Sequence, residues 1–342
     1  MKKAFLIIVL IMVVVFSGFS RTFVDSTGRT VDLKTDKIER VAISGPLAQM
    51  MVFAIAPEKL VGFSIAIGQD EEQFFPEKYL NLPVLGQLYG THGELNLESL
   101  LAAKPDVIVD LGEPKGTIKE DMQAIQDQTK IPTVHISCYL NNYGEAFEKL
   151  GELLGDEDRA AILSDYCSNS YSQVSNIVSK VDKKRCVYLL GDKGLNVIAN
   201  KSYQAELINF MTNNIATVDN PTSKGTGNEI DMEQLLIWQP DVIFFAPGSV
   251  YSKVGSNYLW KAIKAVRNKN YYEVPMGPYN WMGFPPSVQR YLGMFWLAKI
   301  LYPEDCDFNL YTKVKQYFAL FYHYDLTQAK FEELVGNENT NL

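Results

Sequence analysis

Along the chain, short apolar β-branched runs alternate with stretches whose apolar positions recur every three or four residues, and one such alternation is written twice. Asn96-Leu97-Glu98-Ser99-Leu100-Leu101 leads through Lys104 into Pro105-Asp106-Val107-Ile108-Val109. At a spacing of 135 residues (96 to 231), Asp231-Met232-Glu233-Gln234-Leu235-Leu236 leads into Pro240-Asp241-Val242-Ile243-Phe244. In each copy an Asn or Asp caps a short helix, a glutamate complements the dipole in its first turn, and a proline stops it. The apolar run that follows reads as a buried parallel strand. A weaker echo precedes each: Lys37 to Gly45 and Lys183 to Gly191 are both basic entries into an apolar strand ending at glycine.

Between the copies, Asp158 to Val181 contains no Gly or Pro, and Leu163, Tyr166, Val174, Ile177, Val178 and Val181 keep helical spacing. A continuous helix there would span about 36 Å, enough to cross two lobes. The pattern therefore predicts an α/β protein of two Rossmann-like lobes joined by a single long α-helix, with a ligand cleft between the lobes. The expected organisation is a signal peptide over 1–20, a first α/β lobe over 21–157, the interlobe helix over 158–181, and a second α/β lobe over 182–342.

The signal assignment rests on Lys2 and Lys3, an uncharged apolar core from Ala4 to Phe16, and small residues Gly18 and Ser20 before the cut. No cysteine stands near that cut, so the expectation is a periplasmic protein without a lipid anchor. Removing Lys2 and Lys3 changes the net charge from −8 to −10, because 30 Lys+Arg then face 40 Asp+Glu. That balance argues against nucleic acid, which needs a basic face. Cys138, Cys167, Cys186 and Cys306 show no metal spacing, and three scattered histidines supply a bare imidazole metal site poorly. No serine-nucleophile elbow, phosphate loop, zinc-protease or dinucleotide motif is present, so an enzyme is not expected.

Taken in order, several segments resemble the helical-backbone class of periplasmic binding proteins, which serve ATP-driven importers of iron-siderophores, haem, cobalamin and, in some members, molybdate or tungstate. The marks are Phe23-Val24-Asp25-Ser26-Thr27-Gly28-Arg29, the two Glu…Pro-Asp-Val-Ile units, the long helix, and Tyr279-Asn280-Trp281-Met282-Gly283-Phe284-Pro285-Pro286-Ser287. The resemblance implies an importer permease with its ATPase as partner, and membrane contact only through that permease. It also implies that one glutamate on each lobe meets the permease, at Glu98 and Glu233; simple dipole complementation is the competing use of both.

Ligands of open α/β sheets collect beyond the carboxyl ends of the strands. This nominates Ser44-Gly45-Pro46, Tyr89 to His92 and Asp110-Leu111-Gly112 in the first lobe. In the second it nominates Gly191 to Lys193, Lys201 to Tyr203, Ala246 to Ser249, and Tyr279 to Trp281. Trp281, with Tyr279 and Asn280 beside it, is expected to project from its loop as a flat face for a chelate, or else to cap the second lobe's core. Tyr89 and His92 stand in a polar turn, and His92 could donate to an anion or fill an open metal position. Tyr203 starts a helix near the cleft, and Arg290 could reach an anionic ligand or make a surface ion pair. No intrinsic cofactor is expected. The ligand is expected to be a metal chelate (iron-siderophore, haem or corrinoid), with a metal oxyanion such as molybdate or tungstate as the alternative.

Overall fold

The computed structural model describes residues 21–89 and 94–336; the expected signal segment and His92 lie outside the described residues. A hairpin of β1 (Arg21–Val24) and β2 (Thr30–Leu33) opens the chain. It leads to a parallel sheet of order β3-β4-β5, formed by Val41–Ile43, Val107–Gly112 and Thr133–Ser137. Its helices are α1 (Pro46–Ile55), α2 (Glu77–Leu80), α3 (Leu97–Ala102), α4 (Ile118–Thr129) and α5 (Tyr143–Leu154).

The long helix, α6, runs from Glu157 to Val178. Its 22 residues correspond to about 33 Å. It stops three residues short of the expected end, at a Ser179 turn. The face expected to pack is the one buried: Leu163, Tyr166, Val174, Ile177 and Val178 all lie in the core. Gly151 of α5 lets α6 approach closely, since a Cβ there would lie 2.3 Å from that of Ala160.

The second lobe carries a mixed sheet of order β11-β10-β6-β7-β9, with β8 beside β6. Its strands are β6 (Arg185–Leu190), β7 (Asn196–Val197), β8 (Asn213–Asn214), β9 (Asn228–Glu229), β10 (Val242–Phe245) and β11 (Tyr271–Glu273). Its helices are α7 (Glu206–Met211), α8 (Met232–Trp238), α9 (Tyr251–Val254), α10 (Lys264–Arg267) and α11 (Arg290–Leu301). Among the described residues, every strand pairing stays within one half of the chain.

The repeated unit folds twice with the same bonds. Asn96 and Asp231 each cap their helix by accepting from the third helical N–H, Ser99 at 2.9 Å and Gln234 at 2.7 Å. Lys104 and Gln239, the residues before the prolines, both turn left-handed, at φ 47° and 42°. Asp106 N–H donates to Arg40 O and Asp241 N–H to Arg185 O, each at 2.8 Å. Arg40 and Arg185 in turn donate to the last free carbonyls of their helices, at Ala103 and Trp238.

The assignment of everything after residue 181 to the second lobe needs correction. Helices α12 (Leu310–Phe321) and α13 (Gln328–Val335) return to the first lobe. Phe318 meets Phe74 at 5.4 Å between ring centroids, Phe321 meets Phe147 at 5.8 Å, and Tyr322 meets Phe75 at 5.6 Å. Tyr322 also donates to Gln289 of the second lobe, so this segment belongs to both. One apolar cluster consequently runs from β1 through α6 to α13.

Candidate functional site

The lobes meet where the loop after β5 touches the start of α7. Leu140 N–H donates to Glu206 Oε1 at 2.8 Å, and Tyr291 O–H donates to Leu140 O at 3.0 Å. Glu206 also holds Arg290 through a close ion pair. Tyr203 lies against this pair: the Arg290 guanidinium stands 5.2 Å from its ring centroid, and Lys115 reaches the same ring from the first lobe at 5.6 Å.

Three donors around this junction have no hydrogen-bond partner among the described residues although they are buried: the Tyr143 and Tyr203 hydroxyls and Arg290 Nε. Burial raises both phenols above their ordinary range, while Arg290 pulls the other way on each. Both hydroxyls therefore keep their protons and can donate. Two expected site residues, Tyr203 and Arg290, are thus brought together. Tyr143, Lys115 and Glu206 complete the junction without having been singled out in the sequence.

The Tyr279–Trp281 segment is placed differently from expectation. Trp281 is fully buried in the main core, and its Nε1–H donates to Gly277 O at 3.1 Å. Gly293 packs against it so closely that a Cβ there would lie 2.3 Å from Trp281 O. Its indole is the core-capping ring, because α11 closes over the loop. Asn280 is spent on Tyr188 and on Met282 N–H. The Tyr279 hydroxyl accepts from Gln49 Nε2 at 3.0 Å, bonding the second lobe to α1 of the first. None of the three presents an open face.

Tyr89 is half-buried and donates to Asp121 Oδ2 at 2.5 Å. Burial first, and that carboxylate second, push its phenol up. It does not join the Tyr203–Arg290 group through any of these bonds. Glu98 and Glu233 are both exposed, each in the first turn of its capped helix.

Two α/β lobes joined by a long helix define a binding protein of the two-lobed kind. A family described as periplasmic binding protein matches residues 49–276. The chain belongs to that family, and its work is to bind a solute. It is 27% identical over an alignment of 352 positions to the molybdate-binding protein MolA of Haemophilus influenzae, covering 94% of this chain and 96% of that one. It is 25% identical over 242 positions to the high-affinity heme uptake system protein IsdE of Staphylococcus aureus, covering 67% and 77%. Among solved structures, an ABC transporter solute binding protein from Sulfurospirillum deleyianum superposes with a TM-score of 0.84 at 28% identity, covering 92% of this chain and 98% of that one. Among the described residues, no helix is long and apolar enough to cross a membrane.

Proposed function

We propose that this protein captures a small metal oxyanion of the molybdate or tungstate class between its lobes and hands it to an ABC importer, docking through Glu98 and Glu233. The observation that carries this reading is the set of partnerless donors at the lobe junction, Tyr143 O–H, Tyr203 O–H and Arg290 Nε–H. A tetrahedral oxyanion offers only acceptors, and hydrogen bonds to a charged partner contribute about 1.5–3 kcal/mol each. Glu206 steadies the guanidinium and offsets its charge, which suits an anion that must later be released to a permease. The likeness to a molybdate-binding protein over nearly the whole chain supports the same class.

A metal chelate such as haem, a corrinoid or an iron-siderophore is the second reading, favoured by the heme-uptake relative. It is less well served here, since the indole that would stack on a macrocycle lies in the core. Calorimetric titration with molybdate, tungstate, haemin, cobalamin and a ferric siderophore separates the two. The oxyanions should bind, and Tyr203→Phe should weaken them by about tenfold, the equivalent of one lost donor at about 1.4 kcal/mol. Binding of a chelate alone would reverse the assignment.

A further inference from the structure

Two cations approach the Tyr203 ring, one from each lobe, and they are held very differently. Arg290, of the second lobe, is fully buried and closely paired with Glu206. Lys115, of the first lobe, stands 5.6 Å from the ring centroid with its side chain 44% exposed. Its carboxylate neighbour is Glu113 at 3.6 Å, beyond hydrogen-bonding distance. Among the described residues, no hydrogen bond engages the Lys115 ammonium. The backbone fixes where this lysine starts. Gly112 ends β4 at φ 150°, a region that favours glycine. Pro114 follows, and Lys115 O accepts from Ile118 N–H at 3.0 Å where α4 opens. The main chain is thereby anchored at the carboxyl edge of the first sheet, while a four-carbon stem leaves the ammonium room to move.

The three buried donors recognise shape rather than charge. Tyr143 and Tyr203 present neutral hydroxyls, and Glu206 offsets the Arg290 guanidinium. A tetrahedral anion with one charge offers them the same acceptor oxygens as one with two. What separates the two anions is a cation without a close partner. Lys115 supplies it, over the very ring whose hydroxyl is one of the donors. Glu113 opposes it. Burial is the main cause that raises the Tyr203 phenol, and Glu113 is among the lesser ones, so this carboxylate lies within electrostatic reach of the same residue. Asp110, another carboxylate at this edge of the first sheet, is taken up instead by the Ser44 hydroxyl and by His135 Nδ1, the latter at 2.6 Å.

We propose that Lys115 sets the charge class of the solute: it is a first-lobe contact of the bound oxyanion and makes the site select tetrahedral dianions over tetrahedral monoanions. The inference rests on the oxyanion reading. Without solute, Glu113 keeps the ammonium beside Tyr203 in a loose pair. An arriving dianion outcompetes that pair, because Coulomb attraction scales with the partner's charge, and a monoanion gains half as much. A dianion held in this way ties the first lobe to Tyr203 and Arg290 of the second.

The test is calorimetric titration of the full chain with sodium molybdate and sodium perrhenate, a doubly and a singly charged tetrahedral oxyanion, at fixed pH and ionic strength. Where water screens the attraction, one unit of anion charge at ion-pair distance contributes about fivefold in affinity. Lys115→Gln should therefore weaken perrhenate about fivefold and molybdate about 25-fold, narrowing the preference for molybdate about fivefold. Lys115→Arg keeps the charge and should retain the wild-type preference. Glu113→Gln should act in the opposite direction and strengthen molybdate more than perrhenate. Lys119→Gln removes an exposed lysine one helical turn on, outside the contact with the Tyr203 ring, and should leave the preference unchanged. Equal losses for both anions in Lys115→Gln, no loss at all, or the same narrowing in Lys119→Gln overturns the charge-selecting role while leaving the oxyanion reading intact. Wild type that binds a chelate and neither oxyanion overturns the oxyanion reading, and the role of Lys115 falls with it.

Discussion

Trp281 and Tyr203 both stand in polar, glycine-bearing or serine-bearing loops, yet the fold treats them oppositely. The Trp281 ring enters the core because Gly293 leaves room for it and Gly277 O satisfies its N–H. Trp281→Ala should therefore cost about 3–5 kcal/mol of stability, the range for removing a large buried ring. Urea unfolding measures this, and the fraction that remains folded should bind its ligand with normal affinity. Tyr203 and Arg290 were legible as candidates because a tyrosine and an arginine at helix starts are natural ligand groups. Tyr143 and His135 were not, for a physical reason. Their meaning depends on partners brought together by strand register or lobe contact, such as Asp110 opposite His135 and Leu140 against Glu206. No local pattern encodes such pairs, whereas a buried polar residue at a strand's carboxyl end, like Asp110 in a nominated loop, is the signal that comes nearest.

At the scale of elements, the doubled helix–strand unit was readable because its bonds are local and its spacing is constant. The caps at Asn96 and Asp231 follow from short sequence, whereas the left-handed turns at Lys104 and Gln239 and the bonds of Asp106 to Arg40 and Asp241 to Arg185 do not. The role of Arg40 and Arg185 was visible only as a basic entry; the structure makes each a lock on the carbonyl end of the repeated helix, α3 or α8, that follows later in the chain. Arg40→Ala and Arg185→Ala should each lose about 0.5–1.5 kcal/mol, the usual worth of such hydrogen bonds. Chemical denaturation of the two variants should give losses of the same order, since both donate to a helix-end carbonyl, Arg40 through Nε and Nη2 and Arg185 through Nη2. A much larger effect at one site would show that the two locks are not equivalent. The lobe against which α12 packs was not legible, because a helical aromatic stripe says that a face is buried, but not against which lobe.

The molecule as a whole is held together by more than its covalent crossings. Helix α6, the returning aromatic segment with Phe318 and Tyr322, and the Gln49–Tyr279 bond all span the junction inside a single apolar cluster. Such a junction resists wide opening, because separating the lobes would expose packed apolar surface at about 25 cal/mol per Å². The exposed glutamates of the two repeated helices, Glu98 and Glu233, are consequently carried at a fixed separation, one on each lobe. A single exposed ion pair contributes only about 0–1 kcal/mol. Two presented together on a rigid frame gain from effective concentration, so losing both should hurt more than losing either one. Glu98→Ala, Glu233→Ala and the double variant should therefore all bind solute like wild type and unfold at nearly the same denaturant concentration. Stimulation of ATPase activity and uptake by the cognate importer should fall modestly in each single variant and most in the double one. Full transport by the double variant would leave both residues as helix-start glutamates and move the permease contact elsewhere on the surface.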